Sequence, residues 1–406
     1  MKVVQLNTVC NGSTGKIMDE ISKVIIDKGG KAYSFYGRGN KGKNGEFYNF
    51  FSKKDIYLSV FSTRILDKHG FNSIKATKRL IEKIKEINPD IIQLHNLHGY
   101  WINIKILFDF LKTYNKPVIW TLHDCWAFTG HCTHFTYINC NKWQTGCYNC
   151  ENKNKYPKSI FLDSSKHKYI LKKEIFNGIN NLTIVTPSLW LGNLVNKSFL
   201  NKYNIKVINN GIDLNIFKPT KSDYRVKNNL EDKYIILCVA MPWSKQKGIE
   251  DFIELSKVLN EKYKIVLVGT DEKIDKILPK NILSIHKTNN QEELAKIYSS
   301  ADVFVNPTKE EVLGMVNIES LACGTPVITY NTGGCIETID EYSGIVTKHN
   351  NVKELKKEIN KICIKKILKK ENCIKCSKRF DSNKKFLEYY DLYKNILNKG
   401  ENCCEN

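Results

Sequence analysis

Short apolar segments alternate with amphipathic ones along most of this chain, and that alternation constrains its fold more than any other feature. In the first half, the segments typical of buried strands are 2–7, 90–95, 118–123, 182–186 and 205–208. Apolar residues recur at helical spacing over 17–28, 77–87 and 104–111. Strands separated by helices favour a parallel sheet with helices on both faces.

The second half repeats the pattern. Its predicted strands and helices alternate over 234–240, 248–261, 264–268, 291–300, 303–305, 316–323 and 326–330. We therefore expect an α/β protein made of two Rossmann-like, doubly wound domains that face each other across a cleft. In such folds, ligands bind at the carboxyl ends of the strands, in that cleft.

A connector rich in turn residues, from Asn210 to Pro219, lies between the two halves. We predict a first, acceptor-side domain over 1–216, with a cysteine-rich insert at 125–150, and a second domain over 217–384. The tail, 385–406, carries a stripe of large side chains at helical spacing, namely Phe386, Tyr389, Tyr390, Tyr393 and Leu397. We expect this tail to form a helix that packs back on the first domain.

The composition narrows the class of protein. Hydrophobic residues make up 42% of the 406 positions, which allows a large core and excludes a disordered chain. No apolar run approaches the ~20 residues of a membrane-spanning helix, and the N-terminal one is too short for a signal peptide, so we expect a cytoplasmic protein. The net charge of +21 indicates anionic partners, or only the lysine-rich composition of an AT-rich genome.

The sharpest signal for chemistry is a pair of glutamates, Glu311 and Glu319, followed by the string Ser-Leu-Ala-Cys-Gly-Thr-Pro-Val-Ile. A carboxylate can accept hydrogen bonds from two vicinal hydroxyls of a sugar or a ribose. Gly314 permits a close turn, and the first turn of the following helix, near Met315 and Val316, offers free N–H groups to a phosphate. Two solvated glutamates at a helix edge are the alternative, and the rest of the string argues against it.

The two glutamates with their continuation resemble the signature of the retaining glycosyltransferases of family 4, which have the GT-B fold. The resemblance extends over most of the chain. The segment Asn209–Asp213 with Phe217 and Pro219 is similar to the family's inter-domain segment, and Lys247-Gly248 is similar to its Lys-Gly element. The stretch from Trp120 to Cys132 is similar to a subgroup that acts in bacterial surface-polysaccharide synthesis.

The resemblance implies a role for three residues of the second domain. Glu311 would bind hydroxyls of the donor sugar, and Glu319 would bind the ribose of the nucleotide. Lys247 would contact the diphosphate and neutralise its charge as it leaves. The chain departs from the family near Pro242, where the family usually has an arginine, and Lys245 is one residue that could replace it.

In the first domain, the family's loop after the first strand corresponds to Asn11–Lys16, and it would approach the diphosphate. Lys16 is the other candidate to replace the arginine. His123 matches a family histidine near the reacting carbon. The implied donor-binding residues are Gly12, Gly15, Lys16, Lys247, Glu311, Gly314, Met315, Val316 and Glu319, and the implied catalytic residues are His123, Lys247 and Glu311.

The function implied by the resemblance is a hexosyltransferase-type reaction. A sugar would move from a UDP- or GDP-sugar, with retention of anomeric configuration, to a saccharide or lipid-linked saccharide acceptor in surface or capsular polysaccharide synthesis. The fold requires no cofactor for this reaction. Alternatives are a nucleotide-sugar epimerase or hydrolase on the same fold, and a basic, zinc-containing nucleic-acid-binding protein. Basic residues spread over the whole chain and no nucleic-acid-binding motif appears, so we expect no nucleic-acid partner.

The insert concentrates five of the 14 cysteines. Without an export signal, metal or free thiols are favoured over disulfides. We predict a structural zinc on Cys132, Cys140, Cys147 and Cys150, with Cys125, His131 or His134 as alternative ligands and free buried thiols as the alternative to a metal.

Two further features each allow two interpretations. His95 and His98, in the string Leu-His-Asn-Leu-His, follow a predicted strand and either line the cleft or serve packing. The segment 38–68 interleaves basic and aromatic residues, which favours peripheral contact with the inner face of a membrane, through Lys53 and Lys54 among others. The alternative is that its aromatic residues belong to the core.

Overall fold

The structure is a computed structural model that describes the backbone of residues 1–402 and side chains as far as residue 399. The chain divides into two compact units. One contains Met1–Asn209 together with the segment that begins at Lys385, and the other contains Asn210–Lys384. The predicted boundary at 216 and 217 therefore falls after the start of the connector, whose residues belong to the second unit.

The first unit is built on a seven-stranded sheet in which every pairing is parallel. Its strands are β1 (Lys2–Val9), β2 (Lys31–Arg38), β3 (Glu46–Tyr48), β4 (Ile91–Leu94), β5 (Val118–Thr121), β6 (Leu182–Thr186) and β7 (Asn204–Val207). They lie in the order β3-β2-β1-β4-β5-β6-β7. This order brings the carboxyl ends of β1, β4 and β5 side by side, which positions part of the site.

The helices of the first unit connect these strands. They are α1 (Gly12–Asp27), α2 (Lys53–Leu66), α3 (Ile74–Ile87), α4 (Ile104–Thr113), α5 (Ser165–Phe176) and α6 (Leu189–Asn196). The caps follow ordinary chemistry: Ser52 and Asp55 form a reciprocal capping box at the start of α2, and the Asn103 side chain caps α4. The sequence prediction missed β2, β3, α2, α5 and α6.

The second unit contains a six-stranded parallel sheet in the order β10-β9-β8-β11-β12-β13. Its strands are β8 (Tyr234–Val239), β9 (Tyr263–Val268), β10 (Ile282–Ile285), β11 (Val303–Asn306), β12 (Val327–Tyr330) and β13 (Gly344–Thr347). Its helices are α7 (Tyr224–Lys227), α8 (Ile249–Val258), α9 (Glu272–Asp275), α10 (Gln291–Ser300), α11 (Met315–Ala322), α12 (Val352–Cys363) and α13 (Lys370–Ser377). The strand order is that of a doubly wound nucleotide-binding fold.

The last helix, α14 (Ser382–Asn402), contributes its apolar stripe to the core of the first unit. Phe386, Tyr389 and Tyr393 are buried in one cluster with residues of β1, β4 and β5, such as Val3. The Tyr393 hydroxyl also donates to Gln93 Oε1 at 3.1 Å, inside the sheet.

Helix α1 begins earlier than the sequence predicts. The stretch from Gly12 to Lys16, expected as a loop, forms the first turns of the helix, with Asn11 at the N-cap. Gly15 explains why this is possible, because a Cβ there would lie 2.3 Å from the carbonyl carbon of Cys10. The missing side chain lets the helix start directly against the end of β1.

None of the helices in residues 1–402 combines the length and the apolar character needed to cross a bilayer.

Candidate active site

The second unit brings Lys247 and Glu311 together from two loops that follow neighbouring strands, β8 and β11. The Ser244 hydroxyl caps the short turn before Lys247, whose N–H lies 3.3 Å from the hydroxyl oxygen. Gly248 then adopts a φ of +79°, and a Cβ there would lie 2.5 Å from a side-chain carbon of Pro307. This close approach holds the Lys247 turn against the loop after β11, and Lys247 Nζ reaches Glu311 Oε2 at 2.8 Å.

The charge of Lys247 is maintained by its partner. Burial lowers the pKa of the Lys247 ammonium, but the charge and hydrogen bond of Glu311 more than offset it, so the pKa lies above its ordinary value. The ammonium is therefore positive at any physiological pH. Both side chains remain partly exposed, so a ligand can reach them.

The carboxylate of Glu311 is oriented on both sides. Its Oε1 accepts a hydrogen bond from the Val312 N–H at 3.1 Å, while Oε2 faces Lys247. Gly333, with a φ of +52°, supports the backbone of Glu311 so closely that a Cβ would lie 1.8 Å from its carbonyl oxygen. The glycine that follows β12 thus sets the position of the glutamate that follows β11.

Helix α11 presents the other predicted residues. Gly314, at its N-cap, has a φ of +86° and packs against Cys335. Met315, Val316 and Glu319 lie on the accessible face of the helix, whereas its other face is buried. The structure therefore places the five predicted residues between 311 and 319 on one loop and one short helix, with Lys247 beside them.

Glu319 is held by a buried tyrosine. The Tyr298 hydroxyl donates to Glu319 Oε2 at 3.0 Å, and the ring of Tyr298 is fully buried. Burial raises the pKa of Tyr298 well above its ordinary value, so the phenol keeps its proton and remains a donor. No local pattern in the sequence indicates this contact, because α10 and α11 are brought together only by the sheet.

Lys309 is a further residue that the sequence prediction missed. Its backbone N–H donates to the Gln246 carbonyl at 2.7 Å, and its Nζ lies 2.9 Å from Asp251 Oδ2. These contacts join the Lys247 turn to the loop that carries Glu311. Lys245, a candidate to replace the family arginine, is exposed and pairs with Glu250.

In the first unit, His123 follows β5 and meets His95, which follows β4. His95 Nδ1 lies 3.1 Å from His123 Nε2, and the two nearly parallel rings meet edge to edge, with their centroids 5.4 Å apart and an interplanar angle of 17°. Burial lowers the pKa of His123 to about 4, with Asp124 opposing the shift and His98 adding to it. His123 is therefore a neutral imidazole at physiological pH.

His98 forms a second pair beside these histidines. Its Nε2 lies 2.7 Å from Asp124 Oδ2, and its Nδ1 lies 3.0 Å from the Tyr156 hydroxyl. Burial alone would raise the pKa of Asp124, but His98 outweighs it and the pKa falls to about 2. His95, His98, His123 and Asp124 line one small pocket of the first unit. Asp124 and Tyr156 were missed by the sequence prediction, although Asp124 directly follows His123.

The predicted diphosphate residues of the first unit lie at the start of α1. Gly12 is exposed, with a φ of +77°, and Gly15 is buried against Cys10. Lys16 is exposed on the same turn. These residues follow β1, whose neighbours in the sheet are β2 and β4.

The four cysteines predicted as zinc ligands line one pocket together with His131. A hydrogen bond between Cys132 and Cys150 raises the pKa of the Cys132 thiol well above its ordinary value and lowers that of Cys150. The Gly130 N–H donates to Cys147 Sγ at 3.2 Å. In residues 1–402, no group of three or more His, Cys, Asp or Glu side chains is arranged to hold a metal ion.

The segment 38–68 divides its aromatic residues between core and surface. Phe51 is buried, and Tyr48 and Phe50 stack with Phe35. Tyr57 and Phe61, on α2, are 73% and 66% exposed.

Two family models match consecutive parts of the chain. The model described as Glycosyltransferase Family 4 matches residues 36–216, and the model described as Glycosyl transferases group 1 matches residues 220–382. Together they span most of the chain, and the second contains Lys247, Glu311 and Glu319.

Two curated relatives illustrate the similarity. The putative colanic acid biosynthesis glycosyl transferase WcaC of Escherichia coli is 22% identical over 371 residues, which are 87% of this chain and 89% of that protein. The N,N'-diacetylbacillosaminyl-diphospho-undecaprenol alpha-1,3-N-acetylgalactosaminyltransferase of Campylobacter jejuni is 27% identical over 201 residues, 46% of this chain and 53% of that protein.

Solved structures share the fold over nearly the whole chain. The sucrose-phosphate synthase of Thermosynechococcus elongatus has a TM-score of 0.70 at 16% identity, and the match covers 98% of this chain and 99% of that one. Anabaena HepE, solved in complex with UDP, has a TM-score of 0.68 at 15% identity, with 97% and 100% covered. At such identities the likeness establishes the architecture alone.

Proposed function

The chain belongs to the glycosyltransferases, with a family 4 domain followed by a group 1 domain and the GT-B fold, and from that membership we propose a specific reaction. The enzyme transfers a sugar from a nucleotide-sugar donor, with retention of anomeric configuration, to a lipid-linked saccharide in surface-polysaccharide synthesis. The observation that carries the proposal is the joint placement of Lys247, Glu311 and Glu319 in the second unit.

The second unit has the groups that such a donor needs. As the sugar departs, negative charge builds on the diphosphate and positive charge on the sugar, so the site requires a fixed cation and N–H donors at the phosphates. Lys247 supplies the cation, and the first turn of α11, from Met315, supplies N–H groups. Glu319, oriented by Tyr298, accepts hydrogen bonds from the ribose, and Glu311 accepts them from the sugar hydroxyls.

The chemistry at the first unit follows from its neutral histidine. With a pKa of about 4, His123 carries no charge near neutral pH and is therefore suited to hydrogen bonding with a sugar hydroxyl. An imidazolium there would oppose the positive charge that develops on the sugar ring. These residues contribute binding and electrostatics, and no side chain is assigned as a nucleophile.

The proposed acceptor rests on the relatives. The Campylobacter jejuni protein is named for an acceptor saccharide on diphospho-undecaprenol, and WcaC is named for colanic acid biosynthesis. These names and an exposed apolar surface on the first unit both support an acceptor saccharide that is carried on a lipid diphosphate.

We infer that the enzyme reaches this acceptor by peripheral contact with anionic lipid. Its apolar patch consists of six exposed side chains from two segments of the first unit, Tyr57, Leu58, Phe61, Ile160, Phe161 and Leu162. The segments are joined by a hydrogen bond from the Ile160 N–H to the Arg64 carbonyl at 2.8 Å. Lys53, Lys54 and Arg64 are exposed on the same helix, α2, and would attract anionic headgroups while the apolar side chains enter the headgroup boundary.

We also propose that the cysteine-lined pocket binds a structural zinc, and three features support it. Cys132, Cys140, Cys147 and Cys150 provide thiolate ligands of the type zinc prefers. His131 Nε2, from the same pocket, is buried without a hydrogen-bond partner among the described residues. Its Nδ1 lies 3.0 Å from Lys168 Nζ and 3.2 Å from Asp67 Oδ1, and a carboxylate at that nitrogen is typical of metal-binding histidines. Because the described side chains are not arranged around a metal, binding requires the sulfurs to move together.

A buried lysine adds an electrostatic argument for the zinc. Lys172 is 1% exposed, its Nζ donates to the carbonyls of Trp126 and Thr129, and it makes no ion pair with a described carboxylate, so burial lowers the pKa of its amine well below the ordinary value. A buried cation without a counter-charge is costly. Thiolates gathered on a metal would supply negative charge in the neighbouring pocket.

One experiment tests the proposed reaction. The purified enzyme is first screened for thermal stabilisation by UDP, GDP and ADP and by their sugars. The stabilising donor is then incubated with a lipid-diphosphate-linked saccharide, and the product linkage is read by NMR. A new glycosidic bond with the anomeric configuration of the donor supports the proposal, whereas free sugar or an epimerised donor would indicate the alternative reactions.

A further inference from the structure

A chain of hydrogen bonds runs through the first unit and ends at His123. Gln5 Nε2 lies 2.9 Å from the Met18 carbonyl oxygen, and Gln5 Oε1 lies 3.1 Å from His95 Nε2. His95 Nδ1 then lies 3.1 Å from His123 Nε2. Gln5 and His95 are buried, at 0% and 1% exposure, so water does not compete for these bonds.

The donor and acceptor of each hydrogen bond in this chain follow from the Met18 carbonyl, at which the chain begins. A backbone carbonyl only accepts, so the Gln5 atom that faces Met18 must be the NH₂ group, and a second bond to the Ser22 hydroxyl oxygen at 2.7 Å agrees. Gln5 Oε1 is therefore the acceptor that faces His95. It follows that His95 Nε2 carries a hydrogen and donates it.

The other nitrogen of His95 is an acceptor. Burial lowers the pKa of His95 well below its ordinary value, a charge on His123 would act in the same direction, and His95 makes no ion pair with a described carboxylate. His95 is therefore neutral, and with its hydrogen on Nε2 it has a lone pair on Nδ1. Only a donor can satisfy that lone pair, so the hydrogen between the two rings belongs to His123 Nε2.

We propose that His95 is a positioning residue that fixes His123 as the neutral tautomer with its hydrogen on Nε2. The Nδ1 of His123 is then left with a lone pair, and no group in residues 1–402 hydrogen-bonds to it. In the pocket that His123 lines, this nitrogen accepts a hydrogen bond from a ligand hydroxyl. The identification of that hydroxyl as one of the transferred sugar rests on the proposed function, whereas the tautomer does not.

In catalysis, His123 contacts the ligand, while His95 and Gln5 only position His123. His123 orients the sugar as an acceptor and does not deliver a proton to the leaving group, because its one hydrogen is held by His95. Gln5 and Met18 contribute by setting the direction of the chain, although neither touches the pocket. This role explains why a polar residue, Gln5, lies in the buried core of the sheet.

The tautomers can be read directly by long-range ¹H–¹⁵N NMR of the full chain labelled on histidine nitrogens, without any substrate. We expect neutral His95 and His123 near neutral pH, each with the hydrogen on Nε2. Exposed histidines such as His167 and His286 serve as internal references. A hydrogen on Nδ1 of His123, or a cationic ring, would overturn the proposal.

Variants of His95 test the positioning role. His95→Leu removes the acceptor, so His123 should populate both tautomers and turnover should fall by about 10–100-fold, as for other residues that orient a functional histidine. His95→Asn places an amide oxygen near the position of Nδ1 and should restore most of the turnover and the single tautomer. Unchanged His123 signals and unchanged kinetics in His95→Leu would overturn the role.

Two outcomes separate this inference from the proposed function. Should His95→Leu fold poorly, His95→Asn and the wild-type spectrum still decide the tautomer. Should no transferase activity be found while both histidines carry their hydrogens on Nε2, the proposed function fails and the tautomer assignment stands.

Discussion

Lys247 Nζ and Glu311 Oε2 lie 2.8 Å apart although 64 positions separate the two residues in the chain. Each residue therefore compensates the charge of the other before a ligand arrives. In the proposed reaction, a bound diphosphate would share the ammonium of Lys247, and the sugar hydroxyls would donate to the carboxylate of Glu311. The pair thus keeps the site charged and ordered in the absence of donor.

Removing either member of this pair should abolish most of the activity. We expect Lys247→Ala and Glu311→Ala each to lower turnover roughly 10²–10³-fold, the usual effect of losing one preorganised charge contact. Lys361→Ala removes a lysine from an ion pair with Glu358 on α12 and is a matched control with near wild-type turnover. Initial rates at saturating donor measure the turnover of each variant. If Lys247→Ala or Glu311→Ala has wild-type turnover, that residue does not take part in the mechanism.

Gly333→Ala should disturb the site without touching a ligand. A methyl group there would collide with the Glu311 carbonyl and also has to adopt a φ of +52°. Gly29→Ala separates the two effects, because Gly29 has a φ of +77° and an added methyl group would meet no atom of the described residues within 4 Å. We expect about 1–2 kcal/mol of destabilisation at Gly29 from backbone strain alone. Gly333→Ala should cost more and also lower donor affinity, and equal unfolding free energies would contradict this.

The stability of the first unit should fall in mild acid. The pKa of His123 is about 4 in the folded chain against an ordinary 6.5, so between these values the unfolded chain binds more protons. The contribution of His123 to the free energy of unfolding is fully present above pH 6.5 and is lost as the pH falls toward 4. Asp124, with a pKa of about 2 against 3.8, contributes in a separate, lower window.

Chemical denaturation on both sides of the upper window measures this effect. His123→Leu should show a smaller loss of unfolding free energy between neutral pH and the lower end of the window. His286→Leu is the control, because Asp275 raises the pKa of this exposed histidine, which shifts it in the opposite direction. An identical acid dependence of His123→Leu and the wild type would show that His123 titrates normally.

Binding to lipid vesicles should depend on both parts of the apolar patch. We expect Phe61→Glu and Phe161→Glu to weaken sedimentation with anionic vesicles, since each removes an exposed ring and adds a repelled charge. Lys53→Glu with Lys54→Glu should weaken it also, and added salt should do the same. Tyr342→Glu alters a similarly exposed aromatic in the second unit and should bind normally. Equal binding to neutral and anionic vesicles would show that the basic residues of α2 do not attract the enzyme to anionic lipid.

Elemental analysis should find about one zinc per chain in enzyme purified without chelators. Cobalt(II) in its place should give the absorption of a tetrahedral thiolate site. Cys147→Ser and Cys150→Ser should lose the metal and lower the melting temperature, whereas Cys373→Ser, on α13, should keep the metal. A stable, fully active, metal-free enzyme would leave the pocket as a cluster of free thiols.

How far the sequence predicts the structure depends on the range of the interactions involved. The strand at 182–186 and the helix at 291–300 were predicted with the bounds that the structure has, because local apolar spacing and the Asn290 cap determine them. Helix α1 was predicted to start too late, since Gly12 and Gly15 are typical of a loop. Its early start depends on a close contact with Cys10 that local spacing does not reveal.

The site divides in the same way. Glu311, Gly314 and Glu319 are close in the chain, so one strand–loop–helix connection brings them together. Gln5 lies on β1, whereas His95 and His123 follow β4 and β5, and these strands are neighbours only because the sheet has the order β1-β4-β5. Their contacts could not be predicted before that order was known.

The last helix of the chain has a consequence for biosynthesis. Phe386, Tyr389 and Tyr393 complete a core whose other buried members lie between Val3 and Ile208. During translation, an apolar surface of the first unit therefore stays uncovered until these residues have left the ribosome. By then, all strands of the second unit have already been synthesised. The unit that is first to emerge is the last to be finished, and a ribosome that stalls before position 386 leaves a nascent chain that depends on chaperones.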